Sequence, residues 1–327
     1  MPLKLFLVLL LACGQGAFAA RKAPPSPEEQ CRANPMGRLE NYPQAFSKPV
    51  DGRAGPAPEW LRKLLADADG AKDYESYIPT PTELGQLRTN LVLLPEGLQR
   101  AFQERLVGIY FIKNFMGNGL TNWVSDGKGT VYAAMVVNPA GFTRSISETF
   151  TRRERSMFRD GEGVRIDAGT KYPGLLYTLL HEGTHVYDFV YGITPYVEAK
   201  CTGFFRKNGK LESSWDVWDG YTKPKKDSDF KLRGKLEFYG LDGRPSLRGK
   251  DAPQLYAQLQ ASPFVSLYGS KAWAEDAAEL VVFHHLTQVM GQPYAIEWTA
   301  GGKTGRYEPM TNEKVKERAA RVYSTVK

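Results

Sequence analysis

One stretch of the chain is apolar on nearly every side. Gly174 to Tyr191 reads Gly-Leu-Leu-Tyr-Thr-Leu-Leu-His-Glu-Gly-Thr-His-Val-Tyr-Asp-Phe-Val-Tyr. A helix that is hydrophobic all round is a buried one, so this run predicts a helix at the centre of a domain. Around it the pattern is more ordinary. Glu59 to Asp69 puts Trp60, Leu61, Leu64 and Leu65 on one side, as an amphipathic helix does. Pro81 to Leu93, with Thr80 placed to cap it, and Pro95 to Leu106 predict two more helices. Val107 to Ile112 and Thr130 to Val137 read as strands, with Gly117, Gly119, Gly127 and Gly129 as turns. Ser145 to Phe158 predicts a polar helix, Val164 to Ile166 a short strand, and Lys271 to Met290 a helix. Helices, then strands, then the buried helix argue for an α+β arrangement rather than a regular βαβ series. An edge strand just before the buried helix would suit an extended peptide, which adds to a sheet through main-chain bonds.

The two ends differ in kind. Residues 1–19 have Lys4, an apolar run from Leu5 to Ala12 and a small-x-small site at Ala17-Phe18-Ala19, which together predict a signal peptide and export. The chain is then secreted or periplasmic. Leu10-Leu11-Ala12-Cys13 supports a second version, a lipoprotein anchored through Cys13. Residues 20–58 carry scattered prolines and few apolar positions spaced for a core, and read as a linker or a strap. The folded domain is then expected over residues 59–327. Cys31 and Cys201 survive signal removal, and export makes a disulfide between them chemically allowed.

Charge adds one feature. Between Arg206 and Lys250 twelve Lys or Arg face seven Asp or Glu, in a chain of net charge +7. This basic stretch reads as a solvated segment or small β lobe. As a binding surface it would attract an anionic cell-surface polymer. No nucleic-acid-binding motif accompanies it, so nucleic acid is not an expected partner. No transmembrane span is predicted after the signal.

The candidate chemistry lies inside the buried helix. His181 and His185 are four residues apart, one turn along one face, and two imidazoles so placed can hold one zinc ion. Glu182 beside them suits a general base, the H-E-x-x-H pattern. Burying two imidazoles and a carboxylate with no partner would be costly. Catalytic zinc takes three protein ligands. Asp188 and Glu198 are available for the third, but Glu275 has the better setting. It precedes Glu279 by one helical turn, so one carboxylate can ligate while the other orients a ligand imidazole. His284 and His285 lie too far along that helix to reach the same ion and are expected to be structural. Asp188, seven residues past His181, is a further supporting candidate.

His181-Glu-x-x-His185 followed by Tyr268-Gly-x5-Glu275-x-x-Ala278-Glu279 resembles the gluzincin zinc peptidases. It looks like the branch that includes the catalytic domain of anthrax lethal factor and the Pro-Pro endopeptidases. The resemblance covers two helices. It implies a zincin-like fold, zinc on His181, His185 and Glu275, Glu182 as general base, and Tyr268 facing the reacting water. It also implies an exported metalloendopeptidase acting on a peptide or protein. The 90 positions between His185 and Glu275 exceed the usual separation in that branch, so residues of about 200–265 are expected to loop out as an insertion. Two rivals remain: a non-catalytic zinc-containing envelope protein that binds anionic cell-wall polymer, and a zinc amidase acting on a non-protein amide.

Overall fold

The structure is a computed structural model that describes Ser26, Glu29 and residues 33–195, 214–241 and 243–327. The expected signal peptide with Cys13, both Cys31 and Cys201, Glu198 and the start of the basic stretch lie outside the described residues. Helices and strands are mixed but not alternating, an α+β arrangement. No described helix is long and apolar enough to cross a membrane.

The main sheet is built from β1 (Ala54–Pro56), β2 (Glu75–Ser76), β3 (Leu106–Lys113), β4 (Gly119–Ser125) and β5 (Val131–Val137). β1, β3 and β5 run parallel, β4 closes the edge antiparallel to β5, and β2 pairs with the end of β3. Both faces are covered, which explains why β3 and β5 are apolar nearly throughout. Residues of β5 alternate between the layers: Ala133, Met135 and Val137 join the larger core, while Ala134 and Val136 join the smaller one.

The smaller layer corrects the expected linker. Met36, Leu39 and Tyr42 are buried there beside Leu61 and Leu65 of α1 (Glu59–Asp69). Arg53 is buried and donates to the carbonyls of Phe46, Lys48, Phe102, Gln103 and Leu106. These bonds satisfy the guanidinium and fasten the strap to the end of α3 (Glu96–Arg105). The fold therefore starts well before Glu59. From Asn34 onward the expected linker or surface strap packs into this layer as core.

The larger layer holds α5 (Gly174–Tyr191), packed between β4 and β5, α3 and α7 (Trp273–His284). A Cβ on Gly183 would sit 2.9 Å from the Phe102 ring, so glycine in the middle of the motif permits the close approach of α3. α2 (Pro81–Leu91) and α4 (Ile146–Arg155) each begin with a reciprocal capping box, Thr80 with Glu83 and Ser145 with Glu148. α4 is less polar than expected, because Ile146 and Phe150 face the core.

β6 (Val164–Asp167) leaves the main sheet. It pairs instead with β9 (Ala295–Ala300), which forms a hairpin with β10 (Lys303–Tyr307). Thus the strand just before the motif helix is not the edge beside it; β4 is.

The described part of the expected insertion does not loop out. β7 (Trp218–Gly220) and β8 (Lys223–Pro224) form a small ribbon, yet Trp218, Leu232, Leu236, Phe238 and Leu247 belong to the main core. α6 (Ala252–Ala261) and α8 (Glu313–Tyr323) complete that layer. Arg318 of α8 reaches Asp216 and Asp276, and Trp218 Nε1 also donates to Asp276. This stretch is held by apolar burial and by a buried charge network.

Candidate metal centre

α5 and α7 cross so that their motifs meet. Ligating atoms of His181, His185 and Glu275 all lie within 4.8 Å of one another. Glu275 Oε2 is 3.0 Å from His181 Nε2 and 3.7 Å from His185 Nε2. The two imidazole rings stand edge to face, with centroids 4.9 Å apart. Glu275 sits in the first turn of α7, where the helix dipole favours an anion. Burial opposes its charge, but hydrogen bonds with His181 and His185 hold it well below the usual carboxylate range.

Glu279, one turn on, takes the other side of the same ring: its Oε1 is 3.1 Å from His181 Nδ1. His181 is thus gripped between two carboxylates of one helix. Burial lowers its affinity for a proton, and hydrogen bonds to Glu275 and Glu279 outweigh that and push it up to about 10. Glu279 is fully buried, and Arg153 with His181 outweighs that burial and brings its pKa down to about 2.

Glu182 points to the edge strand rather than to Glu275 and Glu279. Its Oε2 accepts from the Thr121 hydroxyl at 2.8 Å. Burial raises its pKa, and the neighbouring imidazoles and Thr121 offset this only in part. The approach of β4 depends on Gly119, because a Cβ there would lie 2.8 Å from Glu182 Cγ and 2.7 Å from a Thr178 methyl. The sequence reading placed Gly119 in a turn; it is the first residue of the strand beside the candidate base.

Tyr268 is half-buried, with its ring 5.6 Å from that of His181. Two cavities open on either side of the group. One, of about 170 Å³, is lined by Phe115, Met116, Tyr239 and Leu241. The other, of about 200 Å³, is lined by Thr121, His185, Tyr221 and Glu275. Gly119, Leu120, His181, Glu182 and Tyr268 border both. The second also runs along Thr121 and Asn122 of β4.

Asp188 is buried at the end of α5, where its carboxylate accepts from the amides of Ile193 and Thr194 and from the Thr194 hydroxyl. Burial raises its pKa, and the bonds from Thr194 and Ile193 with the nearby His185 offset this only in part. His284 and His285 lie outside the group. His285 bonds Tyr323 Oη and the Leu93 carbonyl, each at 2.8 Å.

Three neighbours of the site escaped the sequence reading. Thr121 was hidden by the turn assignment. Tyr177 stands one turn before His181, and that spacing could have marked it. Arg153 occupies the apolar stripe of α4 that also holds Ile146 and Phe150. A charged residue in a core stripe is itself a signal, because an unpaired buried charge is costly.

Comparison with protein-family models, curated proteins and solved structures found no match.

Proposed function

We propose that this chain is an exported zinc-dependent endopeptidase with a zincin-like arrangement of the gluzincin type. The observation that carries this reading is the convergence of His181, His185 and Glu275 beside Glu182 at an edge strand. Two imidazole nitrogens and one carboxylate oxygen are the donor set of a catalytic zinc site with an open position. The donor chemistry fits: the third group is an anion at neutral pH, and both histidines lie on one face of a buried helix. A Glu from a second helix is what the gluzincin resemblance implies, and β4 lies beside the motif helix as an edge strand among the described residues.

Zinc bound there would act as a Lewis acid and would ease deprotonation of water at neutral pH. The chain's own residues would do the rest. An extended peptide would lie along Gly119–Asn122 and bond to the backbone of β4, the edge strand among the described residues. At Ser125 the edge is already bridged by Arg38 of the strap, and Asn122 donates to the Met36 carbonyl, so the groove is closed at that end. Glu182 would take a proton from the attacking water and pass it to the leaving amine. Tyr268 would donate its hydroxyl to the developing oxyanion.

The test is hydrolysis of a broad peptide library by zinc-loaded protein, with and without a chelator. Chelator-sensitive cleavage is expected. Zinc-loaded protein that cleaves no member, and that loses only stability on chelation, would leave the non-catalytic envelope protein as the better reading.

A further inference from the structure

Arg153 is buried to 1 % exposure at the centre of the larger core, and no part of the peptidase scheme above uses it. Its Nη1 donates to Glu279 Oε1 at 2.9 Å and to the Tyr177 hydroxyl at 2.6 Å. Tyr177 in turn lies 3.2 Å from the same Oε1. With His181 Nδ1, that one oxygen has three neighbours. The second oxygen of Glu279 accepts from the Ser266 hydroxyl at 2.7 Å. Ser266 also accepts from the amide of Gly269, the residue after Tyr268. On its other side, the Arg153 guanidinium carbon lies 5.0 Å from the centroid of the Tyr268 ring. The Glu154 carboxyl lies 3.7 Å from Nη2.

A buried ion pair is weak evidence for stability, since apolar residues of similar volume often serve as well. A planar fork gives something they do not, because it can bond a carboxylate and stack on an aromatic face at once. We infer that Arg153 is a positioning residue that ties Tyr268 to the metal ligand His181 through Glu279. It fixes the carboxylate that orients the imidazole, and it carries the tyrosine ring on the same cation. The activity half of this inference rests on the peptidase reading; the metal-affinity half does not.

The test uses full-length mature protein and zinc affinity measured by chelator competition. Arg153→Met should weaken zinc binding about 10- to 100-fold, the usual effect of losing an outer-shell partner. Glu279→Gln should do the same. Because both act through one hydrogen bond, adding Arg153→Met to Glu279→Gln should change affinity by less than about threefold. Losses that multiply independently, or an affinity unchanged in folded Arg153→Met, overturn the proposal. Should Arg153→Met fail to fold, Arg153→Lys decides. It keeps a cation for Glu279 and loses the guanidinium carbon that lies over the Tyr268 ring. Zinc affinity should then stay within about threefold, while kcat falls about tenfold or more at nearly constant KM. A wild-type kcat for Arg153→Lys refutes the link to Tyr268. Protein that binds zinc and cleaves nothing fails the peptidase reading, yet the affinity cycle still tests Arg153.

Discussion

The hydroxyl of Thr121 lies 2.8 Å from Oε2 of Glu182, which joins β4 of the main sheet to the candidate base. This bond favours the charged carboxylate against burial, which raises its pKa. Thr121→Val removes the bond and keeps the shape. The pKa of Glu182 should rise further, and the acidic limb of kcat/KM should move to higher pH with zinc content unchanged. A limb that stays in place, or moves to lower pH, would show that Thr121 does not act on the base.

Glu182 can be separated from the metal ligands. Glu182→Gln should keep zinc and lose at least about 100-fold in peptide hydrolysis, the size of a general-base contribution. Tyr268→Phe should keep zinc and fold and lose a smaller factor, since one oxyanion donor is removed while the metal remains. A Gln variant that hydrolyses at the wild-type rate would remove Glu182 from the mechanism.

Metal content tests the ligand set. Mature protein should bind about one zinc per chain. His181→Ala and His185→Ala should lose most of it, and Glu275→Ala should bind more weakly. Because metal-free His181 holds its proton up to about pH 10, zinc must displace it at pH 7. Binding should therefore release about one proton, and affinity should rise with pH. Calorimetry in buffers of different ionisation enthalpy reads this directly. Zinc binding as tight in Glu275→Ala as in wild type would place the third ligand elsewhere.

Glu154 gives a pH effect on stability. Burial raises its pKa to about 7, with Arg153 and Tyr256 offsetting only part of the shift. The folded protein keeps a proton that the unfolded chain releases near its ordinary value of 4.5. The contribution is therefore full below that value and lost as pH rises through about 7, on the order of 3 kcal/mol in all. Glu154→Gln does not titrate and still accepts from Tyr256. Its stability relative to wild type should improve between pH 5 and 8.5 by thermal or urea unfolding. A difference that shrinks or reverses over that range would mean the carboxyl is ionised in the fold.

Much of this protein is local and so was open to a reading of its residues. The helix over Gly174–Tyr191 is marked by its unbroken apolar run and matches the structure at both ends. Thr80 caps α2 because its side chain reaches an amide three residues away, a contact within one turn. The spacing of His181 and His185, and of Glu275 and Glu279, follows from 3.6 residues per turn alone. Which residues could share a metal was thereby narrowed to two short helices.

Tertiary structure decided how those helices meet and what surrounds them. Glu275 and Glu279 grip opposite nitrogens of one imidazole only because α7 crosses α5 at that height. The prolines of the strap suggested a linker, yet Met36 and Tyr42 are core because the second face of the sheet needs a cover. The strand at Gly119 was misread because a glycine looks like a turn until the neighbouring Glu182 shows that a side chain would not fit. Arg153 is 126 positions from Glu279, and nothing in either segment alone specifies their contact. Helical spacing is a property of neighbouring peptide units, so the sequence carries it openly. Pairing between distant segments depends on which surfaces the whole chain must bury together, and only the folded molecule settles that.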